Sequence, residues 1–229
     1  MPVIGINGKI GSGKDTVGSM IKYLTSRCSD PNGKSYRTYE EFIQKGQGDN
    51  DFQTWYNSEW EIKKFAGKLK QVASLLTGIS IDRFEDQEFK KTYLSNEWSY
   101  LPKDEVMTDG VGIAFKKMTV RELLQKMGTD ALRDHLHINV WINALFADYD
   151  DEYCKWIITD LRFPNEFDSV KAWQGVTLRV TRPGTECGSH PSEIALDDFE
   201  FDWEIVNDGD LADLLEKVKA FLHHHKIIA

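Results

Sequence analysis

The chain opens with PVIGINGKIGSGKDT after its first methionine, and Gly8-Lys9-Ile10-Gly11-Ser12-Gly13-Lys14-Asp15-Thr16 brings three glycines, two hydroxyls, two lysines and a carboxylate together. Glycines carry no Cβ, so successive backbone N–H groups can converge on phosphate oxygens. A helix N-terminus behind them adds positive potential, and Lys14 brings a mobile cation to β and γ phosphates. The apolar run over residues 2–7 reads as a buried strand, while Val17, Met20, Ile21 and Leu24, spaced by three and four, read as a helix from about Lys14 to Thr25. Strand, glycine loop and helix in that order are the context a phosphate loop requires, so Gly11, Ser12, Gly13, Lys14, Asp15 and Thr16 are expected to hold a nucleoside triphosphate. Asp15 stands where Ser or Thr usually ligates Mg²⁺, with Thr16 next, and coordination of Mg²⁺ through Asp15, directly or by water, is the expectation.

A second group of reactive residues lies far downstream. The run YCKWII is a buried-strand candidate ending in Thr159 and Asp160, which puts Asp160 at the carboxyl edge of a sheet, where α/β ligand sites form. Arg162, two residues later, can return a planar, doubly hydrogen-bonding cation to the same mouth. A helix cap with a surface ion pair is the alternative for these two residues. Arg182, in TRPG after the apolar run VTLRVT, is expected to stack on adenine, with an ordinary charged turn as the alternative. His190 and Glu193 in SHPSE lack the further ligands a zinc site needs, and His223, His224 and His225 end an amphipathic stretch, where helix-end charge suits them better than chelation.

Positioning these groups requires alternating strands and helices. Trp60 and Ile62 alternate with charge up to Phe65 as a strand, and Leu69, Val72, Ala73 and Leu76 form a helical stripe closed by Gly78. Thr119 and Glu122 have capping-box spacing ahead of Leu123, Leu124 and Met127, with Gly128 as the stop; TDALRDHL reads as another short helix and residues 140–149 as a longer one. Pro164 opens a helix ending at Gly175, and Leu211, Leu214, Leu215, Val218 and Leu222 mark a C-terminal helix. The result is an α/β, three-layer fold with a mainly parallel sheet. We expect one domain over 1–229, with a polar, aromatic-rich, partly mobile excursion over about 28–57. The segment over about 81–117 has mixed signals and two turn clusters and is expected to form a partly helical cap over a site rather than part of the central sheet.

Composition sets the outer limits. With 229 residues and 41% apolar content the chain can bury a sizeable core, and no apolar run approaches a membrane span. The net charge of −9 opposes diffuse attraction to nucleic acid or anionic lipid, although Lys63, Lys64, Lys68, Lys70, Lys90, Lys91, Lys116 and Lys117 offer possible phosphate contacts; a solvated basic face is the alternative for them. Cys28, Cys154 and Cys187 sit in no paired spacing and suit a reducing cytoplasm.

GKDT, followed by TVRELLQKMGTD, WIITDLRFPNE, VTRPG, SHPSE and VNDG in that order, resembles the deoxynucleoside monophosphate kinase family of bacteriophages over almost the whole chain. Only residues 28–57 have no counterpart. The resemblance implies a nucleoside-monophosphate-kinase-like fold and phosphoryl transfer from ATP, with Mg²⁺, to a deoxynucleoside 5′-monophosphate. It also implies that Arg121 reaches the acceptor phosphate, that Asp160, Arg162 and Glu166 bind substrate, and that Trp141 lines the acceptor pocket. Arg83 corresponds to a further phosphate-binding arginine, and Lys9 and Ile10 stand where the family can carry another basic residue. On their own pattern Arg121 could be a solvated first-turn residue and Trp141 a core residue. The rival functions are a P-loop kinase of a hydroxymethylated base in DNA and a nucleotide sensor without turnover; base preference and a homodimeric state are left open.

Overall fold

The computed structural model describes residues 3–26, 38–46, 59–101, 115–185 and 194–228. They cluster into two units, Met1–Phe65 with Phe146–Ala229, and Ala66–Leu145.

In the first unit five parallel strands lie in the order β2-β3-β1-β4-β5: β1 (Val3–Asn7), β2 (Trp60–Lys63), β3 (Lys155–Ile158), β4 (Val176–Thr181) and β5 (Trp203–Val206). The pairing registers Ile4 with Ile157 on one side of β1 and with Val176 on the other. Parallel strands covered on both faces read as continuous apolar runs, as β1, β3 and β4 do. β5 is an edge strand whose exposed Glu204 and Val206 interrupt that pattern, and the sequence reading did not find it.

Helices α1 (Lys14–Leu24) and, at the chain end, Leu211–His224 cover one face. Val17, Met20 and Ile21 of α1 meet Ile4, Ile6, Leu178, Val218 and Phe221 in one fully buried core. The short helix α2 (Tyr39–Gly46) lies within the expected excursion. It joins this core through Tyr39 and Phe42, whose rings pack on Tyr23 at 5.6 and 5.4 Å. The rest of the excursion, residues 27–37 and 47–58, lies outside the described residues, as do Cys28, Cys187, His190 and Glu193. The helix Pro164–Ala172, with Pro at its start, packs on β1 and β4 with Phe167 and Val170 buried. Helix, sheet and helix make the expected three layers. Beside β3, Phe146, Tyr149, Trp156 and Trp173 form a ring cluster with centroids 4.6–5.9 Å apart.

The second unit begins in helix α3 (Phe65–Thr77), whose Leu69, Val72 and Ala73 pack around Phe84, Val120 and Met127. Leu76, expected on that stripe, is exposed. Short 3₁₀ turns at Ile81–Phe84, Phe89–Lys91 and Asn96–Trp98 follow, with antiparallel bridges Tyr93 to Thr119 and Tyr100 to Lys116; residues 102–114 lie outside the described set. Thr119 and Glu122 close the expected capping box on α4 (Val120–Gln125). Gly128 does not stop that helix. The backbone widens into a π-helical turn over Lys126–Ala131, and TDALRDHL is spent on this turn and the turns after it rather than on a helix of its own. The reason is steric and polar. Gly128 packs so closely on Leu69 that a Cβ there would stand 2.9 Å from its Cδ2, and its carbonyl accepts the Trp141 indole N–H at 2.8 Å. The following helix α5 (Val140–Phe146) is shorter than expected, giving way to a turn before Tyr149. With it counted, Pro164–Ala172 is α6 and Leu211–His224 is α7.

Candidate active site

β1 lies at the centre of the sheet, where the chain leaves toward β2 and β3 on one side and later builds β4 and β5 on the other. That is the switch point at which α/β folds open a crevice beyond the strand ends. The loop from Gly8 to Gly13 fills this position. Gly11 and Gly13 have φ of +82° and +96°, left-handed values that side chains strain against, and Ser12 N–H closes a turn on the Lys9 carbonyl at 3.1 Å. Gly13 precedes α1 with no side-chain cap, so the helix presents its first N–H groups at the loop. Lys14 opens the helix and is only 9% exposed. The Ser12 hydroxyl is buried with no protein hydrogen-bond partner. Lys9 pairs with Asp197 at 3.5 Å, and Ile10 is exposed.

Asp15 is held from several sides. Its Oδ1 accepts the Thr159 hydroxyl at 3.0 Å and pairs with Lys64 Nζ at 2.8 Å, while Oδ2 lies 3.9 Å from Lys14 Nζ. Partial burial works to raise its pKa, but the Lys64 ammonium, then Lys14 and the Thr159 hydroxyl, outweigh it and hold the carboxyl below its ordinary 3.8. An ionised carboxylate beside a phosphate loop fits Mg²⁺, which takes one or two carboxylates and completes its shell with phosphate and water oxygens. Lys64 entered the sequence reading only as one of several surface lysines. The signal that could have singled it out is its position directly after β2, at the carboxyl edge of the sheet.

At the end of β3, Asp160 Oδ1 accepts the Phe65 N–H at 2.9 Å, the capping geometry left open by the sequence. Glu166 is 2% exposed, and its Oε2 accepts the N–H groups of Arg162 and Phe163 at 2.9 and 3.2 Å. The backbone that carries Arg162 is thereby fixed, and the Asn7 amide ties it to β1 through the Leu161 carbonyl at 2.8 Å. Arg182 is exposed just beyond β4, its carbonyl accepting the Thr185 hydroxyl at 2.8 Å. The first unit thus brings Lys14, Asp15, Thr159 and Lys64 together.

Within the second unit Arg121 is exposed in the first turn of α4 and donates to the Gln87 side chain at 3.4 Å. The Arg83 guanidinium stacks on the Phe89 ring at 4.1 Å, and Trp141 is 5% exposed with its indole N–H committed to Gly128. Arg133, 8% exposed, and Asn207, 7% exposed and beside the glycine loop in the first unit, are buried polar residues that the sequence reading did not assign.

The sequence profile of deoxynucleotide monophosphate kinases matches residues 57–218, well over half of the chain. The chain belongs to the deoxynucleotide monophosphate kinase family. The chain is 30% identical to the deoxynucleotide monophosphate kinase of Enterobacteria phage T4 over 118 residues, 49% of each chain. It is 27% identical to that of Escherichia phage RB69 over 136 residues, 56% of each. Against the deoxynucleoside-5′-monophosphate kinase of Escherichia phage T5 the identity is 25% over 239 residues, covering 91% of this chain and 90% of the relative. The chain spans about half the length of the first two relatives, and the profile begins after the glycine loop, so the loop's geometry is evidence separate from the family match.

Proposed function

We propose that this kinase transfers the γ-phosphoryl group of ATP to a deoxynucleoside 5′-monophosphate. An oxygen of the acceptor phosphate forms the new bond to Pγ, the bond from Pγ to the β-bridging oxygen breaks, and ADP and the deoxynucleoside diphosphate leave. The acceptor phosphate is already a nucleophile, so the protein's work is alignment and neutralisation of charge rather than base catalysis. The observation that carries this reading is the left-handed glycine loop ending on buried Lys14 beside ionised Asp15, in a chain of this family.

Lys14 and the loop from Gly11 to Thr16 bind the β and γ phosphates, with Arg182 against the adenine. Asp15 holds Mg²⁺, with Lys64 and Thr159 orienting its carboxylate. The chemistry a bound Mg²⁺ supplies is neutralisation of charge on the phosphate oxygens. Arg121 and Arg162 bind the acceptor phosphate, supported by Arg83. Glu166 and Asp160 act through the backbone they cap, Trp141 shapes the acceptor pocket from beneath the Gly128 turn, and Lys9 and Ile10 border the substrate. The reaction runs in the cytoplasm, where ATP and deoxynucleotides are available.

The test is ATP and Mg²⁺ with each common and base-modified deoxynucleoside monophosphate, alongside duplex DNA. ADP formation that depends on a monophosphate is expected. Transfer to duplex DNA alone would make the protein a DNA-base kinase, and ATP binding with no turnover on any acceptor would make it a sensor; either outcome overturns the reading.

A further inference from the structure

We propose that Asn207 is a positioning residue of the phosphate loop, holding the Ser12–Gly13 peptide in the orientation that turns the Gly13 N–H toward phosphate. The inference rests on the proposed nucleotide site. Asn207 is 7% exposed, and its Nδ2 donates to the Ser12 carbonyl at 2.9 Å across 195 residues of sequence. In a trans peptide the carbonyl and the following N–H point opposite ways, so a donor that fixes the Ser12 oxygen on one side commits the Gly13 N–H to the other. Gly13, at φ +96°, leaves no room for a side chain there, since a Cβ would stand 2.5 Å from Asn207 Nδ2.

Asn207 is itself built in. Its N–H donates to the Thr181 carbonyl at the end of β4 at 2.7 Å. Lys217 Nζ holds the preceding Val206 carbonyl at 2.7 Å and pairs with Asp208 at 2.5 Å. Three residues on, Asp210 caps α7 through the N–H groups of Ala212 and Asp213, each at 2.9 Å. The amide is therefore aimed at the loop by a corner anchored on both sides. A peptide released from it could turn its carbonyl oxygen into the cradle, where it would repel phosphate.

The experiment is a calorimetric titration of the full chain with ATP and Mg²⁺ for wild type, Asn207→Ala, Asn207→Asp and Asn207→Gln, with urea midpoints and the KM for the monophosphate on the same samples. The Kd for ATP rises about tenfold in Asn207→Ala, the upper end of one hydrogen bond's net worth, and further in Asn207→Asp, which sets a carboxylate against the Ser12 carbonyl. Asn207→Gln, which keeps an amide donor, recovers part of the loss, and the KM for the monophosphate stays within about twofold. ATP bound by Asn207→Ala as tightly as by wild type overturns the proposal alone. Parallel losses in ATP Kd, monophosphate KM and urea midpoint overturn it in favour of a purely structural role. A wild-type chain that binds no ATP overturns this proposal and the nucleotide-site reading together.

Discussion

Lys14 and Asp15 are neighbours in sequence, and in the proposed reaction they have opposite duties, one neutralising phosphate charge and the other attracting a cation; the fold holds the two charges 3.9 Å apart as a loose ion pair. Lys14→Ala is expected to lower kcat by roughly a hundredfold to a thousandfold, the cost of losing one preorganised donor to transition-state charge, in a chain with an unchanged circular dichroism spectrum. Asp15→Asn keeps an acceptor for Thr159 but loses the charge, so the Mg²⁺ concentration giving half-maximal rate should rise; an unchanged magnesium titration removes Asp15 from that role. Arg121→Ala and Arg162→Ala should each weaken transfer to the monophosphate while a direct titration shows ATP binding nearly intact. Lysine at either position recovers only part, because a point charge does not reproduce a two-pronged contact. Equal loss of both ligands would assign these arginines to the fold instead.

At the scale of elements, the site is made of strand ends and the caps that follow them. Glu166 is the clearest case, since its buried carboxylate accepts two backbone N–H groups at the start of α6 and fixes the turn bearing Arg162. Glu166→Ala is expected to cost about 1–3 kcal/mol of stability in urea unfolding, because the N–H groups it served are left without their acceptor. Glu166→Gln, which keeps an acceptor oxygen, should cost less. Equal stability of all three chains would show that the cap is dispensable. Much of this was legible: the glycine loop, β1, β3, β4, α6, α7 and the capping box on α4 each announce themselves within a dozen residues. The π-helical turn was not legible, because the contacts that widen it, Leu69 against Gly128 and the Trp141 indole on the Gly128 carbonyl, come from other parts of the chain. β5 was missed because an edge strand of four residues with two exposed positions carries too short an alternation to stand out from the acidic text before it.

The described residues contain no helix long and apolar enough to cross a membrane. Stability against acid in the first unit should be graded. His225 packs on Phe221 at 5.0 Å and Trp203 at 5.9 Å. Burial lowers its pKa below 6.5, with His224 and Lys171 adding to the effect and Asp202 opposing it, so the fold favours its neutral form over a helix-end charge. The unfolded chain protonates this ring first, so its contribution to stability is complete above pH 6.5 and is lost as pH falls toward the lower folded value. Asp202 behaves likewise further down. Burial would raise its pKa, but Lys171 at 2.6 Å and the Thr177 N–H at 2.7 Å hold it below 3.8, and its contribution fades as pH falls from there. Urea midpoints should therefore drop between pH 7.5 and 5.5 in wild type and drop less in His225→Phe; identical drops would exclude His225 as the source.

The sequence by itself determined the alternation of strands and helices, the glycine loop with Lys14 and Asp15, and the family, because each is a local pattern or an ordered set of short phrases. Tertiary structure alone decided which distant groups complete the loop. Thr159 reaches Asp15 across 144 residues and Asn207 reaches Ser12 across 195, and Lys64 joins them because β2 and β3 run side by side in register, with Lys63 opposite Ile158. Spacing along the chain records the period of a helix or strand, not which strand ends will share an edge of the sheet. That depends on the order β2-β3-β1-β4-β5, which is set by how the apolar faces of all five strands and their helices are buried at once.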